Sequence, residues 1–177
     1  MKLFIALLFE DNIKDQIYDW LEEVEAVSVS GNFSNYDNLH LTIIYLGDTN
    51  PDMYQVIKTK LQEIVIQRFS YQTTEIDCFK KNKPKKIVYL GVKHSDPLKR
   101  LYNQVVLKLR ELDLVIPTNR YTPHITLGRQ VALISTDDLT KVRVKPLIIQ
   151  ANRISMMEST RIDGELTYIE RDSIPLN

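Results

Sequence analysis

The chain has little cysteine, no net charge and no long apolar run, and each shortage removes a class of protein. Cys78 is the single cysteine among 177 residues. An internal disulfide is therefore excluded, and no Cys/His cluster offers metal-ligand spacing. A reducing, cytoplasmic setting is the expectation. Cys78 lies in an apolar-alternating segment and reads as a buried structural thiol. The 23 basic and 23 acidic residues cancel, so a polyanion partner would be drawn by a local patch and not by a global field. The opening apolar run, Leu3 to Phe9, stops at Glu10 and Asp11. It is far too short to span a bilayer, and no small-residue cleavage site follows it. No membrane partner and no obligate protein partner are implied.

What remains is an ordinary soluble composition, 44% apolar and 26% charged, in a length that suits one domain or two small lobes sharing a core. Lys2–Phe9 reads as a central strand. Asp11 is placed to cap a helix whose apolar stripe is Ile13, Ile17, Trp20, Leu21 and Val24. Strands are expected over Val27–Phe33 and Leu39–Leu46. Asn50-Pro51 is a helix start, a capping side chain followed by proline at the first helical position, with Met53, Ile57, Leu61, Ile64 and Val65 as the buried stripe. Tyr71–Phe79 and Ile87–Val92 read as strands joined by a lysine-rich loop. Asp96-Pro97 repeats the capping pattern ahead of Leu98, Leu101, Tyr102, Val105, Leu109 and Leu112. A strand from His124 to about Val131 follows. Val142–Ile174 supplies two or three more strands, with a turn at Asp163-Gly164. This order predicts an α+β fold.

There are three histidines, and two of them sit in matching settings. Asn38-Leu39-His40-Leu41-Thr42-Ile43 and Thr122-Pro123-His124-Ile125-Thr126-Leu127 both read His, apolar, Thr, apolar. At this threonine content the coincidence is about one in two hundred. On a strand, residues i and i+2 share a face. His40 projects with Thr42, and His124 with Thr126, while Leu41, Ile43, Ile125 and Leu127 point into an apolar layer. Two imidazoles converging on one phosphorus form an acid–base pair, and two hydroxyls can hold its non-bridging oxygens. The scheme calls for no metal and no cofactor. His94 has no such context and reads as a surface or capping residue.

These motifs resemble the signature of the two-histidine (2H) phosphoesterases. The longer stretches NLHLTIIYLGD and YTPHITLGR resemble the LigT-like branch, the RNA 2′,3′-cyclic phosphodiesterases also called 2′-5′ RNA ligases. The opening LFIALLFED, the approach GNFSNYDNLHLT and the ending ISMMEST…GELTYIERDSIPL extend the likeness over nearly the whole chain. The resemblance implies a single two-lobed domain over residues 1–177. Its two antiparallel sheets would form a pseudo-twofold pair with helices outside and a central groove. It implies opening of a 2′,3′-cyclic phosphate, on RNA or nucleotide ends, to a 2′-phosphomonoester. His40 would be the proton donor and His124 the base, with Thr42 and Thr126 binding phosphate. Weak 2′-5′ ligation would be the same pathway run backward.

Around this core the readings divide. Arg129 matches the arginine that closes the second motif, where a guanidinium could grip phosphate or position RNA. Tyr121 matches an aromatic position, with base stacking and strand packing as equal alternatives. Phe33 matches a groove aromatic, though core packing is favoured. Tyr45 and Asp48 stand where the family commonly has Phe and Glu. Lys81, Lys83 and Lys85, with Lys80 and Lys86, form the densest basic patch. It is either a solvated hairpin tip, the favoured reading, or an RNA contact. Two rivals to the cyclic phosphodiesterase stand: a 2H enzyme for another cyclic phosphate such as an ADP-ribose derivative, and a non-catalytic RNA-binding module of the same fold. The intact His and Thr pairs argue against the module.

Overall fold

A computed structural model describes residues 1–117 and 119–177. In chain order the elements are β1 (Lys2–Leu7), α1 (Asp11–Ala26), β2 (Ser30–Phe33), β3 (Leu41–Asp48), α2 (Pro51–Gln62), β4 (Phe69–Phe79) and β5 (Lys86–Val92). They continue with α3 (Asp96–Arg110), β6 (His124–Ala132), β7 (Ile148–Ala151), β8 (Arg153–Ile162) and β9 (Glu165–Pro175). Short 3₁₀ turns occupy Tyr36–Asn38 and Thr136–Lys141.

The strands make two sheets, ordered β3-β1-β8-β9 and β2-β6-β5-β4-β7. The neighbouring strands pair antiparallel in both. Strand alternation explains how each sheet serves two layers. In β1, Leu3, Ile5 and Leu7 enter the main core, whereas Phe4 and Ala6 pack with Met157 on the other face. In β3, Leu41 and Ile43 are buried in the core. In β6, Ile125, Leu127 and Val131 take that role. One apolar cluster runs through both sheets and is covered by helices. Helix α1 buries Ile17, Trp20, Leu21 and Val24. Helix α2 buries Tyr54, Ile57 and Leu61, and α3 buries Leu98, Leu101, Val105, Val106 and Leu109.

The α+β expectation and the two-sheet arrangement hold, and the differences are local. Helix α2 ends at Gln62, so Ile64 is buried from the following loop and Val65 is 76% exposed. Asn50 caps α2 as expected, its Oδ1 accepting from the Met53 N–H at 2.8 Å. The other two caps differ. Glu10 and Ser95 occupy the N-cap positions of α1 and α3, and neither side chain bonds the helix. Asp11 and Asp96 fall instead in the first turn, where a carboxylate favours the helix dipole. The region after Val142 forms three strands, the last two closing as a hairpin at Asp163 and Gly164, both with positive φ. Cys78 is buried and free.

Candidate active site

The two motifs meet in a groove of about 820 Å³ between the sheets, lined by His40, Thr42, His124, Thr126 and Arg129 among others. All four histidine and threonine side chains are half-buried and Arg129 is exposed. The i, i+2 geometry holds in both strands. His124 is the first residue of β6, while His40 stands one residue ahead of the β3 ladder.

The imidazoles are anchored alike. His40 Nδ1 lies 2.6 Å from the Asn38 carbonyl and His124 Nδ1 lies 2.8 Å from the Thr122 carbonyl, each two residues back. A carbonyl oxygen can only accept, so each Nδ1 carries its proton and donates it. Each Nε2 is thereby left as the reactive nitrogen. In the neutral ring, His40 Nε2 accepts from the Thr42 hydroxyl at 2.8 Å. Among the described residues, no partner sits on the Nε2 of His124.

Burial, which disfavours the charged ring, pushes the His40 pKa down to about 4, and the nearby charges of Arg129 and His124 act the same way. Burial also lowers His124, again helped by Arg129. Arg129 is thus within electrostatic reach of both rings. It precedes Gln130, whose φ of 53° marks a local break in β6. A bulge of this kind re-aims the neighbouring side chain.

Each imidazole is also walled by aromatic rings. Phe4 and Tyr168 lie 5.0 and 5.1 Å from His40. Phe79 and Tyr89 lie 4.9 and 5.4 Å from His124. Phe33 both packs against the core and lines the groove, so it serves both of the alternatives read from sequence. Gly128 makes room for it, because a Cβ there would come within 2.9 Å of the Phe33 ring. Tyr45 lines the groove as well.

Other residues singled out by sequence fall elsewhere. Tyr121 is not on the groove wall. It stacks on Tyr102 at 4.3 Å and donates its hydroxyl to the Thr42 carbonyl at 2.9 Å. Lys81 pairs with Asp77 at 3.1 Å, and Lys83 and Lys85 are exposed on the β4–β5 loop. Lys86 leaves the basic patch, since it is buried with its ammonium on the Lys83 carbonyl at 2.7 Å. His94 is exposed at the foot of α3. Among the described residues, no three His, Cys, Asp or Glu side chains are grouped to hold a metal ion. Among the described residues, no helix is long and apolar enough to cross a membrane.

Asn38 was not readable as a site residue. Its buried amide donates to the Leu166 carbonyl at 2.8 Å and accepts from the Tyr168 N–H at 3.1 Å. The residue whose carbonyl orients His40 is therefore tied to β9, the strand that carries Tyr168. Only the long-range approach of β9 reveals this.

Known proteins match this chain in sequence and in fold. The model of the 2′-5′ RNA ligase superfamily matches residues 13–162. The RNA 2′,3′-cyclic phosphodiesterase of Archaeoglobus fulgidus is 30% identical over 129 residues, 73% of this chain and 72% of that protein. The protein of the same name from Thermotoga maritima is 26% identical over 131 residues, 73% and 70% of the two chains. The crystal structure of Escherichia coli LigT complexed with 3′-AMP superposes with a TM-score of 0.79 at 19% identity, covering 99% of this chain and 97% of LigT. With the paired His-x-Thr strands facing one groove, these matches show that the chain belongs to the 2′-5′ RNA ligase superfamily of two-histidine phosphoesterases.

Proposed function

We propose that this chain hydrolyses 2′,3′-cyclic phosphates on RNA or nucleotide ends to 2′-phosphomonoesters, with His40 and His124 as the acid–base pair. One observation carries the reading: both rings are fixed through Nδ1–H, leaving two Nε2 atoms for the same groove beside two threonine hydroxyls. Neutral His124 takes a proton from water as the water oxygen bonds to phosphorus. The P–O3′ bond breaks, and His40, protonated at Nε2, delivers that proton to O3′. The free protein disfavours the His40 imidazolium. The incoming phosphate anion is the charge that restores it. Thr42 and Thr126 hold the non-bridging oxygens, and Arg129 neutralises the charge growing on them.

The same geometry accepts an RNA 5′-hydroxyl in place of water, which would give a 2′–5′ linkage. The name of the relatives, RNA 2′,3′-cyclic phosphodiesterase, supports reading the substrate as a ribose cyclic phosphate and not another cyclic phosphate. The scheme uses no metal ion and no cofactor. The test is hydrolysis, in EDTA, of an oligonucleotide ending in a 2′,3′-cyclic phosphate, with the product read by phosphorus NMR. A 2′-phosphate that disappears with His124→Ala supports the reading. A chelator-sensitive reaction, or turnover that survives the substitution, overturns it.

A further inference from the structure

The wall beside His124 does not end at the groove. Tyr89 on β5 is directly opposite Thr126 on β6, and on its other side opposite Asp77 on β4. Opposed residues of antiparallel strands share a face. The phosphate-binding face of the sheet therefore runs on from Thr126 to Tyr89. Phe79 stacks on Tyr89 with ring centres 4.3 Å apart, and both rings are half-buried. Phe79 is also the last residue of β4. Lys80 follows it with φ 60°, and the chain turns there into the lysine loop.

That loop is tied down rather than trailing. The Lys83 N–H donates to the Lys80 carbonyl at 2.9 Å, and the buried Lys86 ammonium clamps the Lys83 carbonyl. Lys80, Lys81, Lys83 and Lys85 are exposed, and among the described residues only Lys81 of these pairs with a carboxylate. Tyr89 stands three positions along β5 from Lys86, a strand rise of about 10 Å. An aromatic shelf thus leads from the reacting centre to a cationic edge. Single-stranded nucleic acid is bound by this combination of stacking surface and charge.

We propose that Phe79 and Tyr89 stack the nucleobase preceding the cyclic nucleotide, and that Lys83, Lys85 and their neighbours take the backbone phosphates beyond it. An RNA strand is then a better substrate than a cyclic mononucleotide. This rests on the cyclic phosphodiesterase reading above and adds a second subsite to it.

The experiment compares kcat/KM for cytidine 2′,3′-cyclic phosphate and for a pentaribonucleotide ending in the same group. The wild type is expected to favour the strand by about tenfold, an advantage that shrinks from about 50 to about 500 mM salt. The Lys83→Ala/Lys85→Ala double variant should lose most of that advantage while its mononucleotide turnover stays within about twofold of wild type. Phe79→Leu should lower strand turnover more than mononucleotide turnover. Equal wild-type efficiency on both substrates, or an advantage that survives the lysine variant, overturns the proposal and leaves the reaction intact. If neither substrate turns over, the reaction reading is the one that fails. Fluorescence anisotropy of a 2′-phosphate-ended pentamer then decides the path on its own, since the lysine variant must bind it more weakly for the path to stand.

Discussion

His40 and His124 carry the same motif and the same Nδ1 anchor, yet they sit in different surroundings. The His40 ring packs against Phe4 and Tyr168, which also contact each other, bonds the Thr42 hydroxyl, and depends on an anchor residue clamped to β9. His124 lies against Phe79 and Tyr89, with an open Nε2 beside a sheet that continues to a basic loop. A repeated motif fixes the direction of two side chains. The packing around it decides which ring resists charge more strongly, and burial pushes His40 down to about 4. The open ring suits a base that must meet water. The enclosed ring suits an acid that becomes charged only when an anion is bound.

The largest test of this comparison is removal of each ring. His40→Ala and His124→Ala should each lower kcat by about 10²–10⁴. Together they should cost far less than the product of the single losses, because the pair acts as a unit. Full additivity in steady-state rates would separate the rings and break the scheme.

Disturbing the anchor of one ring alone should be smaller. Asn38→Ala leaves the Leu166 carbonyl and Tyr168 N–H without their partner, at a cost of about 2 kcal/mol in urea denaturation. It should also reduce kcat, since the His40 anchor is loosened. An unchanged midpoint would mean that β9 does not hold this turn. Tyr121→Phe removes a single bond to the Thr42 carbonyl and should cost about 1 kcal/mol.

The proton affinities give the finest test. Arg129 lowers both imidazoles, so Arg129→Gln should raise both and move the kcat/KM profile toward higher pH. A profile that stays in place would put the guanidinium outside the reach of the rings. Stability should follow the same chemistry. Unfolded His40 titrates near its ordinary 6.5 and folded His40 near 4. Its contribution is therefore present above pH 6.5 and lost as the pH falls toward 4. His40→Asn should flatten that slope in denaturation measured across the window.

Much of this molecule was legible from local pattern. The helical stripes of α1 and α3 and the His-x-Thr alternation rest on periodicity, which burial of one face enforces whatever the neighbours are. The capping roles of Asp11 and Asp96 were misplaced by one residue, because a first-turn carboxylate and an N-cap carboxylate have similar chemistry. Tyr121 could not be assigned from sequence, since an aromatic ring beside a strand packs and stacks equally well, and Phe33, for which core packing was favoured, also lines the groove.

The sequence by itself determined the candidate chemistry: two imidazoles and two hydroxyls at i, i+2, each on the polar face of a strand. Tertiary structure decided what that chemistry faces. It brought β9 onto Asn38, set Phe4 and Tyr168 around one ring and Phe79 and Tyr89 around the other, and buried Lys86 while leaving Lys83 and Lys85 in solvent. Those contacts join residues from distant parts of the chain. Their burial and electrostatics depend on how the two sheets pack, which no local pattern encodes.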